Sequence, residues 1–144
     1  MPKPKLSKAA EQLRKEVNLK YPKRDKRSDG WLGDSKHKLR KSDHNPDKNG
    51  WVRAIDIDAD LNKSKTESWH LAETIKAKAV KGDKRISYII HQGRICSSRL
   101  NWKWRVYLGS NPHHAHIHIS FTSKGDMNGK AFGIWANLNQ RNRQ

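Results

Sequence analysis

Two segments of this chain alternate strictly enough to read as strands, and the second has one apolar and one polar face. In Trp51–Asp58, Val52, Ala54, Asp56 and Asp58 fall on one side, with Arg53, Ile55 and Ile57 on the other. In His114–Phe121, Ile117, Ile119 and Phe121 stand opposite His116, His118 and Ser120. Only 33% of the 144 residues are hydrophobic, so the core must be small and the apolar faces must turn inward.

The other elements follow from periodicity and punctuation. Leu6, Ala9, Ala10, Leu13 and Val17 recur at helical spacing, which predicts a basic amphipathic helix over 7–19 with Ser7 as its cap. Tyr21-Pro22 ends it. Residues 23–50 are rich in turn formers (Asp29-Gly30, Gly33-Asp34, Asn45-Pro46, Asn49-Gly50) and read as a long loop region. A second helix is expected over 66–80, then strands at Ile86–Ile90, Arg94–Ser97 and Trp102–Leu108. The tail 140–144 reads as disordered. The expectation is one α+β domain over 1–144, an antiparallel sheet with two main helices and a long N-terminal loop region.

Charge and cysteine usage narrow the function. The 31 Lys+Arg against 14 Asp+Glu give +17, spread along the whole chain, which calls for a polyanionic partner. Nucleic acid, anionic lipid and an acidic cell-wall polymer all qualify. No apolar run is long enough to span a bilayer, and the basic N-terminus lacks the apolar stretch of a secretory signal. The single Cys96 forbids an internal disulfide, suits a reducing compartment and reads as an inert strand residue.

The chemistry lies in the histidines. Four of the eight fall in Asn111-Pro-His113-His114-Ala-His116-Ile-His118-Ile-Ser120. Two imidazoles at alternate positions of a strand suit a borderline-soft divalent ion such as zinc, although a His-rich hairpin can also bind metal without catalysing anything. Upstream, Ser42-Asp43-His44 precedes a strand carrying Asp56, so one nitrogen and one oxygen ligand are at hand. A histidine of the later hairpin would make three protein ligands and one open position, the form of a catalytic zinc site. The alternative for Asp56 is a salt bridge to one of many cations, and for His44 an ordinary loop histidine. His37, His70, His91 and His114 carry no motif. Trp102 and Trp104 alternate with Lys103 and Arg105, as on a packed sheet face.

Taken together, Ser42-x-His44, Gly50…Ala54-x-Asp56 and His113-x-x-His116-x-His118 resemble the LAS-type zinc peptidases, in the branch of D-Ala-D-Ala peptidases, murein endopeptidases and small phage endolysins. The resemblance covers about residues 20–122. It implies the LAS-type metallopeptidase fold, zinc (Zn2+) held by His44, Asp56 and His118, and catalytic roles for His116 and His113. Eleven residues separate His44 from Asp56, a longer spacing than is usual in the family, and the extra length falls in the turn-rich stretch after Asn45. Ala115 stands where the carboxypeptidase branch carries an acid, which leaves His116 or His113 as the base, as in the murein endopeptidases. Asp58 is a candidate second partner for the ligands, and Arg40 for a substrate carboxylate.

The resemblance therefore implies hydrolysis of an amide bond in peptidoglycan stem peptides by a monomeric phage endolysin. Such a protein is held in the host cytoplasm until release, and its charge holds it on an anionic cell-wall or outer-membrane surface. No specific nucleic-acid partner is expected. Two rival classes remain. Asp43-His44…Asn49-Gly50 faintly resembles the opening of an HNH nuclease, although a strand at Val52–Asp58 stands where that motif needs its helix. A non-catalytic basic nucleic-acid-binding or virion protein is the other.

Overall fold

A computed structural model describes residues 3–33, 42–109 and 111–134. Its elements are β1 (Lys5–Leu6), α1 (Lys8–Lys20), β2 (Trp51–Val52), β3 (Ala54–Asp58), α2 (Glu67–Val80), β4 (Ile86–His91), β5 (Arg94–Ser97), β6 (Arg105–Val106) and β7 (His116–Phe121). Strands β3-β7-β4-β5-β6 form one antiparallel sheet in that order, and β1 pairs in parallel with β2. This is an α+β architecture with two helices and a five-stranded antiparallel sheet.

The observed register keeps the alternation. Ile55 pairs with Ile119 and Ile57 with Ile117, so the isoleucine rows of β3 and β7 coincide on one face. Both helices cover that face: Ala9, Leu13 and Val17 of α1 join Leu71 and Ile75 of α2 and the sheet isoleucines in one core. The same register pairs Asp56 with His118 and Asp58 with His116 on the opposite face. Burying each central isoleucine contributes about 1.5–3 kcal/mol, and a one-residue slip would forfeit it for every residue in the row.

The structure departs from the sequence reading in four places. The strand expected over Trp51–Asp58 breaks at Arg53, where the chain changes partner: β2 pairs with β1, while β3 pairs with β7. β1 itself lies before the first helix, where no strand was expected. The strand expected over Trp102–Leu108 shrinks to Arg105–Val106, because Asn101 and Trp102 take left-handed φ values of 53° and 59° and turn the chain instead. Finally, the polar face of β7 is not open: His118 and Ser120 are both buried, and the strand begins at His116 rather than His114.

What covers that face is the turn-rich region. Gly30 and Asp56 exchange backbone bonds of 2.8 and 3.2 Å, which lays the 28–33 segment along the outer edge of β3. Arg53 ties the second part down, donating to Asp126 at 2.7 and 2.8 Å and to Asp47 at 2.7 Å. No helix among the described residues is long and apolar enough to cross a membrane.

Candidate metal centre

The centre is built around Asp56. On β3 it faces three imidazoles: His118 Nδ1 lies 3.0 Å from Oδ1, while His44 Nε2 and His116 Nε2 lie 3.3 and 3.6 Å from Oδ2. Each ring comes from a different part of the chain or a different register position. Their donor atoms form two overlapping groups, His44–Asp56–His118 and Asp56–His113–His116, each with all atoms within 4.8 Å of one another.

His44 leaves the covering loop. Its Nδ1–H donates to the Trp31 carbonyl at 2.8 Å, which leaves Nε2 facing Asp56, able to donate to the carboxylate when protonated or to offer a lone pair to a metal. His118 is held in the complementary way. Its Nδ1–H donates to Asp56 Oδ1 at 3.0 Å and Nε2 accepts from Ser120 Oγ–H at 2.8 Å; a metal on Nδ1 would reverse the second bond. The ring of Tyr88 stacks on His118 at 5.5 Å, and His44 meets His118 edge-on at 4.9 Å, so neither imidazole can turn freely.

The donor set fits zinc. Ligands on a tetrahedral zinc at about 2.0–2.1 Å stand about 3.3 Å apart, and the 3.0 and 3.3 Å separations of His118 and His44 from Asp56 match such edges. Two imidazole nitrogens and one carboxylate would leave a fourth position on such an ion for water or substrate.

His113 and His116 form a second pair beside the first. His113 Nδ1 and His116 Nε2 are 2.7 Å apart, so one ring donates and the other accepts. His113 takes a left-handed φ of 58°, a conformation secured from several sides. Asn111 Oδ1 accepts its N–H at 3.0 Å. The Gln92 N–H donates to its carbonyl at 3.0 Å, and Gly93 N–H to Pro112 at 2.8 Å. The tight β4–β5 turn thus braces the loop that presents His113.

Electrostatics separate the two pairs. Burial would raise the Asp56 carboxyl, but the His118 and His44 bonds outweigh it and hold the group well below the usual carboxylate range. Burial would lower His44, yet the Asp56 contact leaves it raised. Burial pushes His113 down to about 3, with the neighbouring His118 and His116 adding to the effect. Burial likewise lowers His116. The second pair is therefore neutral near pH 7 and keeps a lone pair for a proton.

The remaining candidates fall elsewhere. Asp58 belongs to neither group; its carboxylate accepts Ser28 N–H and Oγ–H at 3.0 and 2.8 Å and Asp60 N–H at 2.8 Å, fastening the covering loop. Arg40 and His37 lie outside the described residues. His70 and His114 are exposed. His91 is buried on the helix side, bonded to Ser68 Oγ at 2.9 Å. Cys96 is buried in β5, its thiol pushed up to about 12 by burial, and so unreactive. Trp104 packs edge-on against Trp69 at 5.0 Å instead of lying in a strand. Sequence reasoning missed the Trp31 carbonyl, Ser120 and Tyr88. Ser120 alone carried a signal, since it shares a strand face with His118.

Comparison with protein-family models, curated proteins and solved structures finds no match to this chain. The case for function rests on the geometry and on the motif resemblance.

Proposed function

We propose that the chain is a zinc-dependent peptidase of the LAS type that hydrolyses an amide bond in the peptide moiety of bacterial peptidoglycan, acting as a phage endolysin. One observation carries the reading: His44, Asp56 and His118, distant in sequence, converge with zinc-compatible spacing beside a neutral His113–His116 pair. Zinc, when bound, polarises the scissile carbonyl and lowers the pKa of water toward about 7. His116, within reach of Asp56 and tied to His113, accepts the proton from the attacking water at its ring nitrogen. The 2.7 Å bond lets His113 share that proton before it passes to the leaving amine. The half-buried Asp56 stays ionised and offsets the positive charge that gathers around it.

The +17 charge supports attachment to an anionic cell wall or outer membrane, reached after release from the host cytoplasm. The strand at β3, where an HNH nuclease needs its helix, is the reason for preferring an amide over a phosphodiester. The test is the product. Purified protein on sacculi should release new amino groups and no new reducing ends, with chelator abolishing the activity and zinc restoring it. Nicked plasmid with unchanged sacculi, lost in His44→Ala, would replace the peptidase by a nuclease.

A further inference from the structure

The two donor groups around Asp56 share one carboxylate, and that sharing has a chemical consequence. Asp56 presents Oδ1 to His118, while Oδ2 faces both His44 at 3.3 Å and His116 at 3.6 Å. An ionised carboxylate has about four lone-pair directions, enough to bridge two cations. Paired metal ions bridged in this way stand about 3.5–4 Å apart. The groups His44–Asp56–His118 and Asp56–His113–His116 each offer three donors, and only the carboxylate is common to both.

We propose a second, weaker divalent-ion site at Asp56, His113 and His116, filled when zinc is in excess, which shuts the enzyme down by taking the lone pairs of its proton carriers. The inference rests on the reading of His44, Asp56 and His118 as the first zinc site. The second ion binds more weakly for two stated reasons. It replaces the 2.7 Å His113–His116 hydrogen bond, whose loss opposes binding. It also draws on a carboxylate whose charge the first ion already offsets. His113 and His116 cannot serve a metal and a proton with the same nitrogens, so occupancy and turnover exclude each other.

Equilibrium dialysis of the intact chain against buffered zinc, with bound metal read by mass spectrometry, tests the site without recourse to activity. The wild type should take up one zinc tightly and a second at higher free zinc. His113→Ala and His116→Gln should each keep the tight zinc and weaken the second step by about 10-fold or more, as loss of a ligand does at least as much harm as loss of a ligand's own partner. The exposed neighbour variant His114→Ala should retain both steps. Using two variants guards against one of them failing to fold, which circular dichroism reports. A wild type that saturates at one zinc, or a second step untouched in both variants, overturns the inference. Loss of the tight step in His44→Ala alone reports on the first site, so failure of that reading registers separately.

Discussion

Asp56 and His118 stand directly opposite each other on β3 and β7, and His118 Nδ1 lies 3.0 Å from Asp56 Oδ1. Non-local strand pairing thus brings two of the three candidate ligands together, and the loop that carries His44 supplies the third. A metal held here would couple its binding to folding, because its three candidate ligands come from segments far apart in the sequence.

That coupling sets the expected behaviour of ligand variants. His44→Ala and Asp56→Ala should lose tight zinc, activity and the zinc-dependent part of thermal stability together. Metal analysis and thermal unfolding with and without chelator check this. A His44→Ala protein with full zinc and normal turnover would remove that residue from the centre.

Role separation is the next expectation. His116→Ala should keep the tight zinc and lose about 10²-fold or more in turnover, the usual consequence of losing a general base. His118→Ala should lose the metal itself. Metal content measured beside turnover distinguishes them, and the reverse pattern would exchange the two roles.

In the proposed centre Ser120 would act on zinc through His118. Because its Oγ lies 2.8 Å from His118 Nε2, Ser120→Ala frees that ring to adopt the other tautomer. Zinc affinity should fall about 10- to 100-fold while the fold persists, and Ser120→Thr should recover part of the loss. Unchanged zinc affinity in Ser120→Ala would mean that Tyr88 stacking alone orients the ring.

Acid should destabilise the metal-free protein early. His113 is pushed down to about 3 and His116 is also lowered, so the unfolded chain binds the extra protons first. The stability they contribute is full above about pH 6.5 and is lost as pH falls toward 3. Asp56, held low, adds a loss below about pH 4. His44, which is raised, works in the opposite sense, contributing below about pH 6.5 and losing its contribution as pH rises past its folded value. Unfolding in chelator across this range should be steeper for wild type than for His113→Gln; equal slopes would contradict the assignment.

Away from the centre, Glu16 is fully buried on α1 and accepts the N–H groups of Phe132, Gly133 and Ile134 at 2.8, 2.7 and 3.1 Å. Glu16→Ala should cost about 3 kcal/mol or more, since it strands several buried donors. Chemical denaturation measures this, and a loss below about 1 kcal/mol would show that water replaces the carboxylate.

Much of this arrangement was legible in the sequence, and for a physical reason. The period-two rows of β3 and β7 were readable as strand faces, Ile55 and Ile57 on one side of Asp56's strand and Ile117 and Ile119 opposite His118, while their pairing and register came from the fold. The helices were equally legible, the first from the spacing of Leu13 and Val17 and the second over 66–80. What escaped notice was set by the backbone. The left-handed turn at Asn101 and Trp102 cut β6 short, and the β1–β2 pair depends on only two residues per strand. The anchoring of His44 by the Trp31 carbonyl has no side-chain signature, and Glu16 looked like one more helical acid. Asp58 looked like a partner for the ligands because it shares a face with Asp56, but the Ser28 contacts that turn it aside come from a loop with no periodicity to read.

The most direct test of the account is a crystal grown with one equivalent of zinc and measured on both sides of the zinc absorption edge. The account predicts a single anomalous peak about 2.0–2.2 Å from His44 Nε2, an Asp56 carboxylate oxygen and His118 Nδ1. A peak held instead by His113 and His116, or no peak within reach of His44, would contradict it.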